Sequence, residues 1–285
     1  MKRVASHVQH SLLQIDHVSG PTKMAERPRK RQKVNYPLVI NNYNCPSGKR
    51  TIRSKAELIA VRQGKVVECA NTLSLQDFRE AYCPRDLRTR FGVWNEDGHG
   101  QLVALLTSPA VNDDGESADV IDQCFQLVEL TSAEDYRKSE MGWSPVKKRK
   151  EMQLPDLKYL VLQSSQDLDV QGFISFMVTY EDGREVLYVY EIHLTPRLQG
   201  KGLGRKLMEV AEQVGRNVGL EKVMLTVFRS NTAAVGVYAK LGYLVDEYSP
   251  RPKILRNGAV KESSYVILSK KLEEPKQEKI QGDTN

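Results

Sequence analysis

Apolar residues crowd into three runs between Lys158 and Thr195, "KYLVLQSS", "VQGFISFMVTYE" and "EVLYVYEIHLT", the last two joined by the turn residues "EDGRE". Runs rich in β-branched and aromatic residues, bounded by Gly, Asp and Ser, predict three successive strands. The period then lengthens. Residues 202–218 carry apolar positions at helical spacing, "KVMLTVF" is a strand, "NTAAVGVYAKLGY" a helix and "SSYVILSKKL" a late strand. Upstream, "LSLQDFREAYC" has helical spacing and "QLVALLTS" is a short strand. In "VNDDGESADVIDQCFQLVELTSAEDY" the loop "NDDGES" leads into two predicted helices, the second capped near Thr131 with Glu134 three residues on. Helices and strands alternate around an antiparallel meander, and no internal repeat is present. The expected class is α/β (α+β), a mixed and mostly antiparallel central sheet flanked by helices.

Composition sets the boundaries. Residues 1–50 are polar, basic and punctuated by Pro and Gly, which predicts a mostly disordered tail. Residues 51–272 are the expected folded domain, with extra helices at its N-terminal side, and 273–285 form a polar C-terminal tail. The net charge of +6 is uneven: residues 1–34 hold eight Lys/Arg against two Asp/Glu, so the remainder is neutral. A neutral body argues against wrapping nucleic acid. "RPRKRQK" (Arg27 to Lys33) suits a nuclear-import address, giving an expected location in nucleus and cytoplasm. No stretch reaches the roughly 18 apolar residues of a membrane span, and the first 20 residues lack a secretory core. Cys45, Cys69, Cys83 and Cys124 have no C-x-x-C spacing, so neither a metal site nor a disulfide framework is implied.

The chemistry-bearing signal lies where a strand hands over to a helix. Gln199 to Arg205 reads Gln-Gly-Lys-Gly-Leu-Gly-Arg. Small residues there let successive backbone N–H groups of Gly200, Lys201, Gly202, Leu203, Gly204 and Arg205 point into one concavity at the positive end of the helix dipole. A pyrophosphate fits such a seat. It is not a Walker loop, and no acidic residue stands where a dinucleotide fingerprint requires one.

With the downstream N-x-x-A-x-x-x-Y-x-x-x-G-Y from Asn231 to Tyr243, residues 155–270 resemble the GNAT superfamily of N-acetyltransferases. A wider likeness, through "EVLYVYEIHL", "KVMLTVF", "DEYSP", "SSYVILSKK" and back through "DYRKSEMGW" to about residue 120, resembles the histone-specific N-terminal acetyltransferases of NatD type. The resemblance implies acetyl-CoA as co-substrate, no metal, and transfer to the α-amino group of histone H4 and of the 2A-type histone. The implied partners are histone tails and the implied state is a monomer.

Amide formation needs a neutral amine, whereas a peptide α-ammonium has a pKa of about 8. A carboxylate at the strand end can take that proton. Glu191 fits by position, with Tyr190 beside it on the alternate face, and the resemblance gives Glu191 the base role. The other reading of Glu191 is a surface ion pair. Ile192, His193 and Leu194 would offer backbone hydrogen bonds to pantetheine. His193 shares the face of Glu191 but has no tuning partner in sequence, which favours a packed or surface histidine. The resemblance places Thr226 and Asn231 at the coenzyme. It leaves Tyr238 as thiolate proton donor or as packing over the pantetheine, packing being favoured. For the acceptor it points to Tyr136, Tyr190, Tyr265 and the segment Thr179, Tyr180, Glu181.

Two departures concern the acceptor. Thr179 and Met141 stand where the resembled family has an acidic residue and a Trp. The stretch Asp113 to Asp135 holds eight Asp/Glu and no Lys/Arg, either a solvated face or an attractor of basic tails. No cysteine falls in the matched motifs, so direct transfer is expected over an acyl-enzyme route. Alternatives are an acetyltransferase for lysine or small amines and a chromatin module that binds coenzyme without turnover.

Overall fold

The computed structural model describes residues 66–91, 101–109 and 116–272. The basic tail, most of the "NDDGES" loop and the C-terminal tail lie outside the described residues. The elements in chain order are α1 (Val66–Thr72), α2 (Leu75–Tyr82), α3 (Leu87–Arg90), β1 (Leu102–Thr107), α4 (Glu116–Lys138), α5 (Pro145–Glu151), β2 (Lys158–Ser164), β3 (Val170–Glu181), β4 (Arg184–Leu194), α6 (Leu203–Val218), β5 (Lys222–Phe228) and α7 (Thr232–Lys240). Three short strands, β6 (Leu244–Val245), β7 (Lys253–Ile254) and β8 (Val260–Lys261), precede β9 (Tyr265–Lys271).

Seven strands form one sheet in the order β1-β2-β3-β4-β5-β9-β6. β1 to β4 are an antiparallel meander, and β9 pairs antiparallel with β5 and β6. Only β4 and β5 run parallel among these pairs. Two residues, Asp182 and Gly183, suffice to turn β3 into β4, because both adopt positive φ. The parallel step needs a crossover, which α6 provides.

Each face of the sheet has its own core. On one, α6 buries Leu203, Leu207, Met208, Ala211 and Val214 against Ile174, Phe176, Leu187 and Val189, together with Phe78 of α2. On the other, Val120, Ile121, Cys124, Phe125 and Val128 of α4 meet Tyr159, Val161 and Phe173. A stripe at i, i+3 and i+4 is enough to hold a helix on a sheet.

The region expected to form two helices is one helix of 23 residues. Thr131 is not a cap: its hydroxyl donates back to the Leu127 carbonyl at 2.7 Å, one turn earlier. The stripe continues unbroken past that point to buried Ala133, and continuous packing outweighs a local capping signal. The predicted strands and the helix before β5 stand within a residue or two of their expected places, and the helix after β5 ends three residues early, at Lys240.

Register shifts at Ser175/Phe176: Ser175 faces Glu191 while Phe176 faces Val189, leaving Tyr190 as the extra residue of a β-bulge. Strict alternation would put Tyr190 and Glu191 on opposite faces. The bulge cancels that. Tyr190 packs with the α4 side of the sheet, Glu191 bonds to α4 and α5, and Ile192 and Leu194 pack on the α6 side.

Just beyond the bulge β3 and β4 are in close contact. A Cβ on Gly172 would stand 2.9 Å from the His193 carbonyl oxygen and collide with the Leu194 side chain. Gly172→Ala is therefore expected to cost about 1–3 kcal/mol, which urea denaturation of the variant and the parent protein checks.

Candidate active site

β4 and β5 pair only from Val186 to Val189 against Lys222 to Leu225. Past those residues they separate, and a cavity of about 110 Å³ opens between them. Tyr188, Tyr190, Glu191, Ile192 and His193 line it from β4, Thr226 and Phe228 from β5, Tyr136 from α4, Glu151 from α5, and Asn231 and Tyr238 from the α7 region.

At its wall lies a buried cluster of charge. Lys148, only 5% exposed, reaches Glu191 Oε1 at 2.7 Å, Glu151 Oε1 at 3.0 Å and the Tyr136 hydroxyl at 2.7 Å. Tyr136 in turn donates to Glu191 Oε1 at 3.2 Å. The other Glu191 oxygen meets His193 Nε2 at 2.7 Å. Burial by itself would raise the Glu191 carboxyl, but the Lys148 ammonium and the His193 hydrogen bond outweigh it and bring the pKa down to about 2. Burial instead dominates at Glu151, where the Glu191 charge adds to it and Lys148 opposes, so Glu151 is raised. For Lys148, burial disfavours the ammonium, yet the two carboxylates hold it charged, well above its usual pKa.

His193 therefore has partners that sequence reading did not find. Its Nδ1 stands 2.6 Å from the Thr131 hydroxyl, which also reaches the Leu127 carbonyl. An ionised carboxylate only accepts, so the His193 Nε2–H donates to Glu191 and helps to fix that oxygen. Lys148 and Glu151 were missed as well, because "VKKRKEM" reads as a charged surface helix. The one available hint is that they are three residues apart on one helix face.

The glycine loop lies on the α6 side of β4. Gly200 and Gly202 have φ of +73° and +79°, Gly202 is the N-cap of α6, and no side chain caps that end. The first N–H groups of a 16-residue helix thus lack intrahelical partners. A Cβ on Gly204 would meet only Leu194 Cδ1, at 3.8 Å, so the cradle is shallow and open. These residues fit a diphosphate, with the extended backbone from Ile192 to Leu194 leading from the loop to the cavity. Arg205 pairs with Glu209 at 2.8 Å, so its charge is shared.

Thr226 bonds to the Tyr188 hydroxyl at 2.6 Å. Asn231 caps α7 by accepting from the Ala234 N–H at 3.0 Å while also lining the cavity. Tyr238 packs edge-on against Tyr243, and burial followed by the Glu191 charge keeps its hydroxyl protonated. The Tyr190 hydroxyl is buried without a hydrogen-bond partner among the described residues, which leaves a donor open at the cavity wall.

The remaining acceptor candidates do not line this cavity. Tyr265 is buried in the apolar cluster of Tyr188, Met224 and Phe228. Thr179 and Glu181 are buried near the β3–β4 turn, while Tyr180 donates to Glu68 of α1 at 2.9 Å, on the far side of the sheet. Distance along the hairpin separates them, since Glu191 lies opposite Ser175. The acidic stretch of α4 is also partly neutralised: Asp122 pairs with Arg149, and Glu134 with Arg137 and Lys138.

Residues 122–243 match the family described as the acetyltransferase (GNAT) family. This segment is a GNAT acetyltransferase domain. The chain is 34% identical to "N-alpha-acetyltransferase 40" of Saccharomyces cerevisiae, covering 47% of this chain and 54% of that protein. It is 26% identical to "Mycothiol acetyltransferase" of Propionibacterium freudenreichii, covering 71% and 56%. A solved PaiA N-acetyltransferase of Thermoplasma acidophilum, in complex with coenzyme A, is 18% identical with a TM-score of 0.40, covering 60% of this chain and 99% of that one. The chain spans about half or less of the length of the curated relatives it matches.

Lys148→Met would leave two carboxylates buried in this GNAT domain without their shared cation. The expected loss at pH 7 is about 3–5 kcal/mol. The wild-type Glu191 pKa is depressed, so its contribution is complete above about pH 4.5 and is lost as pH falls toward 2. In the variant both carboxylates titrate high, so stability is regained as they take up protons. The gap between the two proteins should therefore narrow as pH falls below 5, as denaturation across pH 3–7 would show.

Proposed function

We propose that the protein transfers acetyl from acetyl-CoA directly to the α-amino group of a polypeptide whose first residue is small, with the N-terminal tails of histone H4 and the 2A-type histone as substrates. The observation that carries this reading is the buried Glu191 carboxylate on the wall of the cavity between β4 and β5, with an uncapped glycine cradle on the opposite side of β4. Acetyl-CoA, when bound, supplies the acetyl group as a thioester.

Lys201 to Arg205 hold the diphosphate through backbone N–H groups, and Ile192 to Leu194 align the pantetheine arm as an added strand would. Glu191 accepts a proton from the incoming ammonium, directly or through one water, at an oxygen already fixed by His193 or by Lys148 and Tyr136. Tyr190 donates to a carbonyl of the peptide. Tyr238 stays protonated beside the site and either packs on the arm or donates to the departing sulfur. The 34% identity to an N-alpha-acetyltransferase supports the α-amine, and the basic tails of histones suit the exposed acids of α4. A monomer shared between nucleus and cytoplasm completes the proposal.

The mycothiol acetyltransferase relatives favour a second reading, a small amine as acceptor. Incubation with acetyl-CoA and a Ser-Gly-Arg-Gly-Lys peptide, read by mass spectrometry, separates the two. Acetate on the N-terminus is expected, and an N-terminally blocked peptide should stay unmodified. Acetate on lysine, or turnover of small amines alone, overturns the α-amine assignment. In Glu191→Gln, Lys148 keeps Glu151 as its counter-ion, so folding and coenzyme binding should persist while kcat falls by roughly 10²–10⁴.

A further inference from the structure

We propose that Glu151 is a second proton-accepting carboxylate of the transfer site, working against Glu191 across the single lysine, Lys148, that both of them bind. The proposal rests on the acetyl-transfer reading above. It starts from a count of protons. When an ammonium becomes an amide, nitrogen gives up two protons: one to free its lone pair, one as the C–N bond forms and the C–S bond breaks. One proton ends on the departing sulfur and the other in solvent. Two protons in transit need two places to rest.

The structure has two. Glu191 and Glu151 both line the cavity, both are under 10% exposed, and both contact Lys148, at 2.7 and 3.0 Å. One cation cannot fully compensate two buried anions. Glu191 also has His193 and Tyr136, whereas among the described residues Glu151 has Lys148 as its side-chain hydrogen-bond partner. The groups that face Glu151 are Lys148 from its own helix, Tyr136 from α4, Tyr159 from β2, and Glu191, Tyr188 and Tyr190 from β4. Apart from Lys148 none of these is a cation, and the tyrosines are all held neutral by burial. Glu151 thus has the higher proton affinity of the pair. Two carboxylates pushed apart by their surroundings are the usual mark of divided acid–base duty.

In this division Glu191 accepts the proton that frees the amine lone pair, and Glu151 accepts the second, released as the C–N bond forms and the C–S bond breaks; one then passes to the departing sulfur and the other to solvent, and Lys148 remains an ammonium throughout. The test is the pH dependence of kcat at saturating acetyl-CoA and peptide. Wild type should show an acid limb set by Glu151. In Glu151→Gln, Lys148 is left wholly to Glu191; the acid limb should move down by about one pH unit or more, with kcat reduced roughly tenfold or more on the plateau. A folded, coenzyme-binding Glu151→Gln enzyme with an unmoved acid limb overturns the proposal. If that variant does not fold, Glu151→Asp, which draws the carboxylate back from Lys148, is read in the same way, and an unmoved limb again overturns it. Failure of the wild-type enzyme to acetylate any peptide N-terminus sinks the earlier reading instead, so the two failures are distinct.

Discussion

A parallel pair of strands that hydrogen-bonds for four residues and then parts creates everything of interest in this fold. While β4 and β5 are paired, their backbone groups satisfy one another. Beyond Val189 and Leu225 that pairing ends, and the freed edge of β4 is available to a guest that can offer amides of its own. The bulge at Tyr190 sits at the same place. By inserting one residue it turns Glu191 and His193 toward α4 and α5 and sends Ile192 and Leu194 into the other core. A single irregularity thus aims the acid and opens the cleft.

The acid then has to be kept buried, which is costly unless its charge is met. α4 and α5 provide the answer. Thr131, Tyr136, Lys148 and Glu151 come from two helices and converge on one strand, so Glu191 has a partner for each oxygen. The arrangement is pre-organised: its dipoles and charges are fixed by contacts among α4, α5 and β4. It also explains why α4 is one long helix. Thr131 and Tyr136 must both reach β4, and a break between them would misplace one.

On the opposite side of β4 the glycine loop begins α6 with no side-chain cap among the described residues. The glycine cradle and the buried charge cluster are separated by one strand, so each is built from its own core. Gly172 marks how close the strands must lie for that to work, with its α-carbon set against the β4 backbone.

The sequence by itself determined the longer strands, the helix that follows the glycine loop and the glycine cradle. These are local: a period of two, a period of 3.6, and residues that tolerate positive φ. By resemblance it also marked Glu191 together with Tyr136, Tyr190, Tyr265 and Thr179 to Glu181, of which Glu191, Tyr136 and Tyr190 line the cavity. Only the tertiary structure decided which groups surround them. The bulge at Tyr190 depends on how β3 pairs with β4, and nothing in "YVYEIHL" announces an extra residue. Lys148 and Glu151 sit in a run of charges that any sequence reading assigns to solvent, and they are buried because α5 docks on the sheet above Glu191. His193 found its partner 62 residues away on α4. Periodicity reports which face of an element is apolar, whereas the pairing of buried charges depends on contacts between elements far apart in the chain.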